Sequence, residues 1–261
     1  MRLTLLALAL SLSAAQPAAA EGALVSLQTG DDSKGWQAVG RLDLAGRGFC
    51  TGTLIAEDLV LTAAHCLFDK ETGARMDIAG IEFRAGWRNG RAEAYRGLRA
   101  AAVHPDYIYS GARDIDRVAY DIALLQLDQP VKLPQVRPFA TGPAPAQGEA
   151  VGVVSYAQDR AEAPSLEPDC GVIDRAPGVL VMSCDVDFGS SGSPVFRIGA
   201  NGAEVVSVIS AKAEVEGRKV ALGMPLTDGI EVLKSELGLD APRKVRLLSA
   251  GGTGGAKFVK P

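Results

Sequence analysis

Apolar and polar positions alternate in short runs along most of the chain. Trp36 to Leu44, Gly48 to Ile55 and Leu59 to Thr62 read as strands, with Gly and Asp at the turns. More strands are predicted around Ile81 to Ala85 and Tyr95 to Val103, and Tyr120 to Leu127 is a strongly apolar one. There the pattern breaks. Pro130 to Gly148 holds five prolines and little periodicity, so it reads as a crossing between two units. A second set follows at Val151 to Tyr156, Cys170 to Ile173, Val179 to Cys184, Ser193 to Ile198, Val205 to Ala211 and Lys219 to Met224. Asn201-Gly202 suits a hairpin turn within it. Helical signals are few. Ala63 to Phe68 fits one turn. Thr227 can cap a helix over about Asp228 to Leu239, where Ile230, Leu233 and Leu237 recur at helical spacing. Many short strands and few helices predict an all-β barrel or sandwich. The expected organisation is a loosely held segment (21–35), a first β unit (36–130), a linker (131–148), a second β unit with its helix (149–239) and a flexible Gly-rich tail (240–261).

Composition narrows the setting. Met1-Arg2-Leu3, an apolar run from Leu5 to Leu12 and Ala18-Ala19-Ala20 form a secretory signal peptide over residues 1–20. The run falls short of the roughly 20 residues that a membrane span needs. An exported, soluble protein is therefore expected, periplasmic or secreted. The formal net charge is −4 at pH 7, and Arg2 is the one charge the leader removes. That balance argues against nucleic acid or an anionic membrane as partner. Four cysteines in an exported chain predict two disulfides among three possible pairings. Sequence order favours Cys50–Cys66 and Cys170–Cys184, because each closes a short loop worth about 3 kcal/mol. A metal site is not expected, since no C-x-x-C pair is present and the chain has two histidines.

The stretch with the most chemistry is Phe188-Gly189-Ser190-Ser191-Gly192-Ser193-Pro194-Val195. A glycine-rich turn of this kind pushes a serine out of the backbone and leaves N–H groups free to hold an oxyanion. Serine is a weak nucleophile until a neutral imidazole takes its proton, and that imidazole needs an orienting carboxylate. One histidine lies in Thr62-Ala63-Ala64-His65-Cys66. The carboxylate candidates are Asp114, Asp116 and Asp121. The first two lie in a charged loop, whereas Asp121 opens the apolar run Ile122-Ala123-Leu124-Leu125, where it would need a partner.

TAAHC, DIALL and GSSGSP, in that order, resemble the trypsin/chymotrypsin-like serine protease family over roughly residues 36 to 239. The resemblance implies two six-stranded antiparallel β-barrels forming one peptidase domain, with the site in the cleft between them. It implies His65 as general base, Asp121 as its orienting carboxylate, Ser191 as nucleophile, and the Gly189 and Ser191 N–H groups as oxyanion hole. His104, in Val103-His104-Pro105-Asp106-Tyr107, resembles the family's H-P-x-Y loop, which implies a structural or surface role. Two departures separate the chain from the family's animal members. Ser190 stands where those carry an aspartate that binds a freed N-terminus, and Glu21-Gly22-Ala23-Leu24 replaces their Ile-Val-Gly-Gly start. Ser193 in place of a second glycine looks more like the bacterial glutamyl-endopeptidase-like branch. For the specificity pocket, counting back six from Ser191 reaches Asp185, and Ser210-Ala211-Lys212 is a candidate wall in which Lys212 could attract an acidic side chain.

The expected activity is that of a monomeric serine endopeptidase acting on protein or peptide, with no cofactor. An esterase of α/β-hydrolase type would need G-x-S-x-G, and residue 193 is serine. A protease-like binding protein without catalysis is the alternative.

Overall fold

The computed structural model describes residues 24–109, 115–226 and 229–239. The expected leader (1–20) and tail (240–261) lie outside the described residues, as do Asp114, Thr227 and Asp228.

Fourteen strands are described: β1 (Val25–Ser26), β2 (Val39–Leu44), β3 (Phe49–Ala56), β4 (Leu59–Thr62), β5 (Ile81–Ala85), β6 (Ala94–Val103) and β7 (Ala123–Leu127), then β8 (Ala140–Thr141), β9 (Ala150–Ala157), β10 (Arg160–Ala176), β11 (Val179–Met182), β12 (Pro194–Gly199), β13 (Gly202–Val215) and β14 (Arg218–Pro225). Strands β2 to β7 close a barrel in the order β2-β3-β4-β7-β6-β5. Alternation explains the closure: along β5, Ile81, Phe83 and Ala85 are buried while Glu82 and Arg84 are half-buried. Leu42, Leu54, Val60, Phe83 and Leu125 share one face in this register and fill the interior, all fully buried. Each such side chain contributes about 1.5–3 kcal/mol.

The second sheet runs β10-β11-β14-β13-β12-β9, and β9 also pairs with β10, so these six strands complete a ring. Strands β1 and β8 attach to it through β10 and β13. Val151, Val153, Val172, Leu180, Met182, Val195, Val206 and Ile209 make its core. The all-β architecture of two antiparallel six-stranded barrels is thus the one expected.

The barrels are tied together in three ways. Trp36 packs edge-on to Phe196 at 5.1 Å, and Phe139, from the proline-rich crossing, lies 4.7 Å from Phe196. The C-terminal helix Gly229–Glu236 returns from the second barrel to pack on β6 and β7. Thr51 reaches across from β3, as described below. The disulfides are Cys50–Cys66 and Cys170–Cys184, the pairing that sequence order favours.

Three local expectations need correction. The N-terminal segment is not loosely held: Val25 and Ser26 pair with Leu166 and Ser165, and Leu27 is buried. Trp36 precedes the strand because it turns into the aromatic cluster. Strand β10 runs seventeen residues, far beyond the expected Cys170 to Ile173. Its Pro164 and Pro168 read as loop signals, and the register shift between Glu167 and Cys170 brackets Pro168.

Candidate active site

His65 lies in a 3₁₀ turn, Ala64–Leu67, directly after β4. Its neighbours Ala64, Cys66 and Leu67 are buried, and the Cys50–Cys66 bridge ties the turn to β3. Asp121 precedes β7, in a turn closed by its N–H on Val118 O at 3.3 Å. The predicted strand from Tyr120 accordingly starts at Ala123. Because β4 and β7 pair side by side, with Thr62 opposite Ala123, the two turns meet at one end of the first barrel.

Asp121 is fully buried and accepts three hydrogen bonds. The His65 N–H reaches Oδ1 at 2.8 Å, and His65 Nδ1 lies 2.7 Å from Oδ2. Ser210 Oγ, from β13, also donates to Oδ2. Burial alone would push this carboxyl up, but the His65 ring and the three donors outweigh it and hold Asp121 below its ordinary value. A carboxylate depressed on folding stabilises the fold above its unfolded value and loses that contribution as pH falls through the folded one. Removing the charge, as in Asp121→Asn, is therefore expected to flatten the loss of stability below about pH 4. Thermal unfolding midpoints across the acid range test this; an unchanged acid limb would contradict it.

With Nδ1 committed to Asp121, Nε2 is the ring nitrogen left to move a proton. Cys66 Sγ stands 3.9 Å from it. His104 plays no part in this pair: its ring lies on Tyr120 at 5.0 Å, and its Nδ1 accepts the Asp106 N–H at 3.3 Å.

The serine loop is pinned from both barrels. Thr51 N–H donates to Ser191 O at 2.9 Å, and Thr51 Oγ1 donates to Gly189 O at 2.9 Å while accepting Tyr156 N–H at 3.1 Å. Gly192 has φ +79°, and a Cβ there would stand 2.9 Å from Ala63 N and overlap Thr62 Oγ1 and Thr51 O. The Ser191-Gly192 backbone thus presses against the residues just before His65. Gly189 has φ +99°, and a Cβ there would meet the Phe49 ring. Its glycine is required by backbone conformation and Phe49, and not by substrate approach alone.

Carbonyl partners set the direction of the neighbouring N–H groups, since C=O and N–H of one trans peptide point oppositely. Phe188 O accepts Gln158 N–H at 2.7 Å, which turns Gly189 N–H the other way. Ser190 O accepts Ser193 N–H at 3.0 Å, which does the same for Ser191 N–H. Ser190 itself is buried, donating to Tyr156 O at 3.2 Å and accepting Asp187 N–H at 3.3 Å. Hydroxyl bonds inside the second barrel therefore hold the position that carries aspartate in the animal members.

The expected pocket residues fall differently. Ser210 is not a wall side chain; it is 3% exposed and its hydroxyl serves Asp121. Asp185 has an exposed side chain, and its N–H donates to Glu167 Oε2 at 2.8 Å. Lys212 is half exposed, and its Nζ pairs with Asp187 Oδ1 at 2.5 Å. Sequence reasoning passed over Thr51 and Gln158. Gln158 acts through its main chain, and a threonine in an apolar strand carries no signal of the loop it supports.

Residues 50–206 match the family described as trypsin-like peptidase domain. Serine protease 23 of Homo sapiens is 31% identical over 164 residues, covering 56% of this chain and 42% of that protein. Glutamyl endopeptidase of Bacillus licheniformis is 26% identical over 151 residues, covering 58% of this chain and 46% of that one. The chain thus spans less than half the length of these relatives. A solved structure, "Structure of Glu endopeptidase in complex with MPD", superposes with a TM-score of 0.68 at 18% identity, over 84% of this chain and 98% of the other. That likeness shows the fold, the family match over more than half of the chain shows the kinship, and the chain belongs to the trypsin-like serine protease family.

Proposed function

We propose that the protein is an exported serine endopeptidase using Ser191, His65 and Asp121. The observation that carries this is the buried, thrice hydrogen-bonded Asp121 on His65 Nδ1, beside a serine loop whose two N–H groups are turned away from their carbonyls' partners. In this reading His65 Nε2 takes the Ser191 Oγ proton as Oγ attacks the scissile carbonyl carbon. Gly189 and Ser191 N–H hold the resulting oxyanion. His65 then gives its proton to the departing amine, leaving an acyl-enzyme. Water attacks the ester, again losing its proton to His65, which returns it to Ser191 Oγ as the acyl C–Oγ bond breaks and the acid is released. Asp121 keeps Nδ1 protonated throughout and stabilises the imidazolium. The leader-like residues 1–20 and the two disulfides support export.

The test is cleavage of a denatured protein by the purified chain, read by mass spectrometry beside Ser191→Ala. Discrete peptides from the wild type and none from the variant are expected. Equal patterns would remove Ser191 from the reaction, and an inert wild type would favour the binding-protein alternative.

A further inference from the structure

Resting on the protease reading, we propose that Phe188 and Lys70 form a subsite on the leaving-group side of the scissile bond that favours acidic substrate residues. Phe188 directly precedes Gly189, yet its ring is 61% exposed, although burying it would be favourable. Its backbone is fixed by Gln158 N–H on its carbonyl and by its own N–H on Asp187 Oδ1 at 2.7 Å. This exposed ring is thus carried by the residue that adjoins the Gly189 N–H.

Two ammonium groups address that ring. Lys212 Nζ lies 4.2 Å from the centroid and Lys70 Nζ 5.9 Å. They come from different sides of the cleft. Lys212 lies on β13, whose pairing with β12 ends at Val208; Ile209 still bonds the serine loop through Gly192 N–H and Ser193 O, and beyond it, among the described residues, one edge of β13 has no strand partner. An extended acyl-side segment can add to that edge. Lys70 follows His65 by five residues in the first barrel, and His65 is the group that protonates the leaving amine.

The charges are also unequal. Lys212 is neutralised by Asp187 at 2.5 Å, whereas Lys70 has no carboxylate partner among the described residues. The loop carrying Lys70 is built, not slack. Asp69 Oδ1 accepts the Glu71 N–H at 3.0 Å, the Thr72 N–H at 2.9 Å and the Thr72 hydroxyl at 3.0 Å. Asp69 Oδ2 pairs with Arg47, and these donors, Thr72 first, hold the Asp69 carboxyl at about 2. A fixed aromatic platform with one uncompensated cation over it suits a short acidic side chain just past the cleaved bond.

The experiment is cleavage of a proteome-derived peptide library by wild type and Lys70→Glu, scoring the first two residues after each cut. Wild type is expected to enrich Asp and Glu over Lys and Arg about threefold, the scale of an exposed ion pair. Lys70→Glu is expected to invert that ratio without altering the residues before the cut, and about 0.5 M NaCl to shrink it. Phe188→Ala, which removes the platform, is expected to reduce the enrichment. Cleavage with no acidic bias, or the same bias in Lys70→Glu, overturns the subsite and leaves the protease reading standing. A wild type that cuts nothing overturns both.

Discussion

Asp121→Asn is expected to lower turnover about 10⁴-fold at neutral pH, the scale of the equivalent change in this family's mechanistic template, while the protein stays folded. The reason lies in the donors that converge on Asp121: the His65 N–H, His65 Nδ1–H and the Ser210 hydroxyl. A carboxylate accepts all three. An asparagine amide has one oxygen, and its NH₂ would face a donor. The imidazole escapes that clash by moving its proton to Nε2, which can then no longer take one from Ser191. The measurement is turnover on a cleaved peptide together with near-ultraviolet circular dichroism. A loss of less than tenfold in a folded variant would show that Asp121 does not set the tautomer.

Gly192→Ala is expected to destabilise the protein by about 3 kcal/mol or more. Overpacking of a tight site costs about 1–3 kcal/mol, and a side chain forced into left-handed backbone adds about 1–2 kcal/mol. The new methyl would fall on Thr62 Oγ1, Thr51 O and Ala63 N, of which the last two are backbone and cannot swing aside. The neighbouring Ser193→Ala serves as a contrast, because the Ser193 hydroxyl is buried without a partner and its loss removes no hydrogen bond. Denaturant midpoints of both variants test the pair. A Gly192→Ala protein as stable as Ser193→Ala would mean that the serine loop is not pressed against the His65 segment as described.

Short-range patterns made much of this molecule legible before any coordinates. A short apolar run marked Leu59 to Thr62, and period-two alternation marked Ile81 to Ala85, with the bounds they have. The proline-rich crossing and the helix around Leu233 were equally plain. Strand β10 was not, because Pro164, Pro168 and its acidic residues mimic a loop, and only pairing to β9 and β11 makes it a strand. At the site, the sequence order of the motifs pointed to His65 and Asp121, and the structure brings them together. What could not be read were the contacts made across the chain. Ser210 lies 89 residues from Asp121, and Thr51 lies 138 from Gly189. No local pattern encodes such partners; they exist only once both barrels have closed. Lys212 was visible as a charge, but whether it was free depended on Asp187, 25 residues away.

The central claim is that Ser191 is an activated nucleophile. It is tested most directly by the intact mass of the purified, disulfide-bonded protein after treatment with a fluorophosphonate, beside Ser191→Ala. One adduct on the wild type, none on the variant, and loss of the wild-type adduct on denaturation before treatment are predicted. A folded wild type that gains no mass, or a variant that labels as well as the wild type, would contradict the account.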